Sequence, residues 1–166
     1  MRLLVAGLAP GLQGANRTGR PFTGDYAGDL LYATLGKFGL TSGSYGQSPT
    51  DGLHLKGCAI TNAVRCVPPQ NKPVGAEINN CRAFLEATIE SFANLQTIFT
   101  LGKISHDSTI RALGERPSAF PFGHAAQYRI GQLNVVSSYH CSRYNTNTGR
   151  LTPEMFEQAI GLAVAG

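Results

Sequence analysis

The chain has 166 residues, 42% of them hydrophobic and only 14% charged, with a net charge of +4 and a pI near 9.0. That length supports one domain with a substantial core, and no window approaches the roughly 20 apolar residues of a membrane span. The modest basic excess admits a polyanionic partner, and the first ten residues are too short for a secretory leader, which points to the cytoplasm and to cysteines kept as thiols.

Taken in chain order, residues 2–7 read as a first strand, with Leu3-Leu4-Val5-Ala6 at its heart. A long polar stretch follows, from Leu8 through Asn16-Arg17-Thr18-Gly19-Arg20 to Asp25. Helix one spans 26–38, with Leu30, Leu31, Leu35 and Phe38 at helical spacing and Asp25 as its N-cap. Residues 39–52 are Gly/Ser/Pro-rich and read as loop. Strand two covers 57–65 and is stopped by Pro68-Pro69. Helix two covers 75–94, with Ile78, Leu85, Ile89 and Phe92 on one face. Strand three is 97–101, and Gly102 opens a helix to about Leu113. Residues 114–128 read as loop, strand four as 132–136, and a second polar loop runs from Ser137 to Arg150. A last helix over 153–165 starts at Thr152-Pro153-Glu154. Strands alternating with helices predict an α/β fold, a three-layer αβα sandwich around a mainly parallel four-stranded sheet, in one domain over 1–166.

Loops beyond roughly 12–15 residues are usually functional, and ligands of open parallel sheets bind outside the carboxyl ends of the strands. The two long loops therefore describe one site. The acids Glu77, Glu86, Glu90, Glu154 and Glu157 lie in helices, whereas Arg17, Arg20, Arg143 and Arg150 lie in these loops, which favours an anion there. The first loop lacks both Gly-x-x-x-x-Gly-Lys-Ser/Thr and Gly-x-Gly-x-x-Gly, so neither nucleotide fingerprint applies.

The segments Gly7-Leu8-Ala9-Pro10, Asn16-Arg17-Thr18-Gly19-Arg20 and Phe22-Thr23-Gly24-Asp25 resemble the first motif of the uracil-DNA glycosylase superfamily, in its B-type (family 5) branch. His140-Cys141-Ser142-Arg143-Tyr144-Asn145 and Thr148-Gly149-Arg150-Leu151-Thr152 resemble the second motif, and Ile60 to Cys66 resembles the central strand between them. The likeness runs from about residue 3 to 157. It implies a DNA-repair enzyme that flips uracil, and other deaminated bases such as hypoxanthine, out of DNA and hydrolyses the N-glycosidic bond with water. Its roles fall on Phe22 as a stacking face beside Gly7, Asn62 as the reader of the O4/N3 edge, His140 as donor to O2, and Asp25 as the group that activates water or stabilises the cationic sugar. Leu8, Ala9, Pro10 and Gly11 offer none of the polar side chains that other branches carry early in this motif. That throws the work on water onto Asp25 and fits a broad base range. Asp25→Ala is expected to lose most activity, whereas Asp51→Ala, in the Gly/Ser/Pro-rich segment, is expected to keep it. Arg17, Arg20, Ser142, Arg143, Asn145 and Arg150 would contact DNA phosphates, and Tyr144 would fill the space of the extruded base.

The resemblance further implies a structural four-iron, four-sulfur cluster with Cys66 and Cys81 as half its ligands, the other half coming from a Cys-x-x-Cys before the first strand. No such pair precedes Leu3 here, and Cys58 and Cys141 are poor substitutes, so either an amino-terminal cluster segment is missing, which is the expectation, or the domain folds without the cluster. The whole reading is of a monomeric, cytoplasmic, nucleoid-associated enzyme acting on DNA, with no membrane contact. The rivals are a catalytically idle DNA-binding module of the same fold and an unrelated α/β nucleotide-binding hydrolase.

Overall fold

A computed structural model describes residues 1–166, Asn71 by its backbone alone. In chain order the elements are β1 (Leu3–Gly7), α1 (Ala15–Thr18), α2 (Tyr26–Lys37), β2 (Thr41–Ser42), β3 (His54–Leu55), β4 (Cys58–Asn62), α3 (Gly75–Glu90), β5 (Thr97–Leu101), α4 (Lys103–Ala112), β6 (Gln127–Ile130), β7 (Leu133–Ser138), α5 (Arg143–Asn147) and α6 (Pro153–Ala165). The main sheet has the order β4-β1-β5-β7-β6, with β2 and β3 forming a small separate pair.

Strands β4, β1, β5 and β7 are parallel, as the alternating pattern predicts. Every residue of β1 and β5 is buried, which is why both read as continuous apolar runs. The strand period sorts their side chains between the two layers. Leu3, Val5, Phe99 and Leu101 face the core shared with Leu31 and Leu35 of α2 and Phe156 and Ile160 of α6. Leu4, Ala6 and Ile98 face the opposite layer, against Ile89, Phe92 and Leu113.

The sheet has five strands rather than four. The fifth is β6, antiparallel to β7, inside the stretch that reads as loop. Ile130 pairs with Leu133 across the two residues Gly131-Gln132, and Gly131 has φ of +58°, so this is a two-residue hairpin turn built on a glycine. Strand β6 alternates exposed and sheltered residues at the sheet edge, which leaves it little apolar signal. The helices are those expected, although α3 ends at Glu90. The two long loops are not structureless: α1 lies in the first and α5 in the second.

Because the four strands run in parallel, Gly7, Asn62, Leu101 and Ser138 end on one edge of the sheet. Gly7 pairs with Asn62 in register, and the ladder continues past the strands as Ala63 and Val64 donate to the carbonyls of Gly7 and Leu8. That continuation ties the start of the first loop to its neighbouring strand.

Candidate active site

Asn62 closes β4 and points its amide toward β1. Its Oδ1 is buried and, among the described residues, has no hydrogen-bond partner. An orphaned buried acceptor costs about 1–3 kcal/mol, so a donor arriving from a ligand would be gripped strongly. Gly7 makes room for this amide. A Cβ built there would lie 2.5 Å from Asn62 Oδ1 and 2.6 Å from the tip of the Phe22 ring. Asn62 and Phe22 thus meet over the one residue of β1 that has no side chain.

Phe22 is buried and adopts φ of +57°, a conformation bulky residues avoid. Its ring faces that of His140, with centroids 6.2 Å apart and planes tilted by 33°. His140 follows β7, and its backbone carbonyl accepts a hydrogen bond from Asn145 Nδ2 at 2.9 Å. Ser142 caps α5 by accepting from the Asn145 amide at 3.3 Å. Burial lowers the His140 pKa to about 4, so the imidazole is neutral near neutral pH. It can then donate one ring proton without bringing a charge of its own. The next residue, Cys141, is wholly buried, bonds the Ala27 carbonyl, and has its thiol pushed up to about 12.

Asp25 sits where sequence places it, at the N-cap position of α2, yet its side chain makes no capping hydrogen bond. The carboxylate instead lies against the backbone of the first loop. A Cβ on Gly11 would lie 2.6 Å from its Oδ1, and one on Gly14 would overlap the carboxylate outright. Burial raises its pKa above the ordinary carboxylate value, and no cation offsets that. A half-buried carboxylate with its oxygens free is suited to hold and deprotonate water.

The structure therefore brings Gly7, Phe22, Asn62 and His140 together, with Asp25 three residues beyond Phe22 on the same loop. A groove of about 360 Å³ runs from Pro10 and Pro21 past Asn62 to Arg65 and Phe92; of the five site residues Asn62 lines it, and Gly7, Phe22, Asp25 and His140 do not. A wider concavity, about 660 Å³, lies at the opposite end of the sheet around Arg2, Gln96 and Arg129 and holds none of these groups.

The remaining site residues divide. Arg17, Arg143 and Arg150 are exposed, the last two stacked on Tyr26 and Tyr139 at 5.1 and 4.8 Å from the ring centroids. Tyr144 is 72% exposed and projects from α5. Ser142 and Asn145 spend hydrogen bonds on shaping the His140 loop. Arg20 is committed elsewhere, in a bidentate pair with Asp51 at 2.7 and 2.8 Å and in a bond to the Ser48 carbonyl at 2.9 Å. Asp51, expected to be dispensable, is thus the anchor of Arg20, which holds its carboxyl far below the usual carboxylate range. Two further histidines to which sequence assigns no role prove structural. His106 is buried between Ser137 Oγ at 2.6 Å and the Phe120 carbonyl at 2.7 Å, and His124 stacks on Tyr139 with centroids 5.0 Å apart.

Cys66 is exposed and Cys81 half-buried, and the Arg65 amide donates to Cys81 Sγ at 3.5 Å, so the two thiols occupy one corner. Cys58 and Cys141 are buried elsewhere, bonded to Leu40 and Ala27 carbonyls. Among the described residues no group of three His, Cys, Asp or Glu side chains could hold a metal ion.

At the strand ends a neutral imidazole and an unpaired amide meet at a buried aromatic ring, and a free carboxylate lies on the loop that carries the ring. Residues 1–162 match the family model described as the Uracil DNA glycosylase superfamily, and the chain belongs to that family. It is 44% identical to a Type-5 uracil-DNA glycosylase of Thermus thermophilus over 96% of this chain and 73% of the relative. It is 37% identical to a Type-5 uracil-DNA glycosylase of Pyrobaculum aerophilum, over 99% and 71% respectively. A Type-4 uracil-DNA glycosylase of Sulfurisphaera tokodaii matches at 28% over 98% of this chain and 70% of its own length.

Proposed function

We propose that the chain is a DNA-repair glycosylase of the Type-5 class, which flips uracil from DNA and hydrolyses its N-glycosidic bond. The observation that carries this reading is the orphaned Oδ1 of Asn62 beside the Phe22 ring. Uracil presents an N3–H donor and an O4 acceptor on adjacent positions. An Asn amide meets both, with Oδ1 accepting and Nδ2 donating. Phe22 stacks on the flipped base, an interaction worth about 1–3 kcal/mol.

Cleavage leaves an oxocarbenium-like sugar and a base that carries the bonding electrons. The negative charge develops on the uracil oxygens. Neutral His140 donates to O2 as that charge grows, and removal of one such donor typically costs about 10²–10³ in rate. Asp25 holds the attacking water, takes its proton as the C–O bond forms, and offsets the positive charge of the sugar. The hydrophobic start of the first loop leaves a pocket that also admits hypoxanthine and other deaminated bases. Arg17, Arg143 and Arg150 hold backbone phosphates, and Tyr144 enters the space of the extruded base.

Two finer readings belong with this one. Cys66 and Cys81 are two ligands of a structural four-iron, four-sulfur cluster. The enzyme works as a single domain and a monomer, in the cytoplasm at the nucleoid. No helix among the described residues is long and apolar enough to cross a membrane.

The test is a duplex oligonucleotide with a single uracil, incubated with the protein and then treated with alkali. Strand cleavage at the uracil position is the expected result. Retarded migration of the duplex with no abasic site formed would replace this reading with that of an idle binding module.

A further inference from the structure

Phe22 keeps a strained backbone, and strain of that kind persists only where the surroundings over-determine it. Here two hydroxyls hold the adjoining carbonyls. Tyr32 donates to the Pro21 carbonyl at 2.5 Å, and Tyr45 donates to the Phe22 carbonyl at 3.1 Å. The Gly24 amide donates back to the Tyr45 oxygen at 3.4 Å, and Arg20 Nε donates to Thr23 Oγ1 at 2.6 Å. The two tyrosine rings stack with centroids 4.6 Å apart, and the Arg20 guanidinium lies 5.5 and 5.7 Å from those centroids. Asp51 fixes that guanidinium and also accepts from the amides of Gly46 at 2.7 Å and Leu53 at 3.0 Å. Gly28 leaves room for the assembly, since a Cβ there would lie 2.7 Å from the Tyr45 oxygen and overlap the Phe22 carbonyl.

We propose that Tyr45, with Tyr32 and the Arg20–Asp51 pair behind it, is a positioning residue that sets the Phe22 ring for stacking on the extruded base. None of these side chains touches the base, and the second loop plays no part in the bracket. The proposal rests on the glycosylase reading. It assigns a role in base grip to the 43–53 segment, which by composition is only a connection.

The experiment is a double-mutant cycle in uracil release, measured in single turnover over a range of enzyme concentrations. Tyr45→Phe removes one hydroxyl and keeps the stacked ring, so its melting temperature should stay within a few degrees of wild type. It is expected to lower the second-order release rate about tenfold, mostly through a higher half-saturating concentration. In a Phe22→Ala background the same change should cost less than about twofold, because the platform it positions is gone. Tyr32→Phe frees the other carbonyl and should behave alike, which keeps the test open if Tyr45→Phe folds poorly. Equal losses in both backgrounds, or no loss from either tyrosine change, would overturn the bracket while leaving the glycosylase reading intact. A wild-type protein that releases no uracil would instead remove that reading and this one with it.

Discussion

Asp25 shows how much depends on where one carboxylate turns. At a helix N-cap, Asp usually accepts the amide of the second or third helical residue. Here that bond is absent, and the side chain rests on Gly11 and Gly14 instead. The capping explanation for its presence therefore fails, and the raised pKa keeps it a serviceable base. Gly14→Ala should displace the carboxylate and cut uracil release by about 10²-fold, near the low end for loss of a general base, while the far-ultraviolet circular dichroism stays unchanged. His140 makes a prediction about stability. Its folded pKa lies near 4, below the ordinary 6.5, so between those values the unfolded chain binds a proton that the folded chain refuses. Stability supported by the neutral imidazole is full above the unfolded pKa and falls as pH drops through that window. Denaturant titrations at pH 7 and pH 4.5 should lose stability more steeply in wild type than in His140→Asn. Equal slopes would show that the imidazole is not desolvated. Asp25, with its raised pKa, acts in the opposite sense, and comparing the two proteins cancels its part. Asp51 is no neutral control for Asp25, since it carries Arg20; Asp107, paired with Lys103 on α4, serves instead.

At the scale of elements, the parallel strands and long helices were legible because burial on both faces leaves unbroken apolar runs. The N-cap of α6 was legible too: Thr152 accepts from the Met155 amide at 3.2 Å, with Pro153 next. Strand β6 was not, because it lies at an edge with one sheltered face, although Gly131-Gln132 carried a turn signal that could have exposed it. The candidate residues Asp25, Asn62, Phe22 and His140 come from motif position alone, and each lies at a strand end or loop corner. What sequence could not supply was the partner of Arg20. A residue 31 positions away has no local signature, and an arginine among loop glycines reads as a rim cation until its ion pair is seen. Tyr45 was hidden for the same reason. The α5 turn yields a stability prediction. Ser142→Ala should cost about 1 kcal/mol in denaturant unfolding and loosen the His140 loop. A change below a few tenths would mean that the cap bears no load.

For the molecule as a whole, the charge arrangement matters more than its modest total. Lys37 pairs with Glu157, Lys103 with Asp107 and Arg20 with Asp51, whereas Arg17, Arg143 and Arg150 make no ion pair among the described residues. All three lie on the loop face. Arg143→Ala and Arg150→Ala should each weaken binding to any duplex and reduce the slope of log affinity against log salt by about one. Unchanged slopes would move the DNA contact elsewhere. The Cys66–Cys81 corner makes a separate prediction for protein purified without oxygen. Iron and acid-labile sulfide in equal amounts would support a cluster there, and Cys66→Ala would then lower both together with the melting temperature.

The central claim is that a free carboxylate, an unpaired amide and a neutral imidazole act together on one flipped base. Single-turnover release of uracil by Asp25→Asn tests it most directly, measured beside wild type and beside binding to a duplex with an abasic-site analogue. The expected result is a loss of at least about 10²-fold in release, with binding held within a few-fold. Release at the wild-type rate by that variant would contradict it.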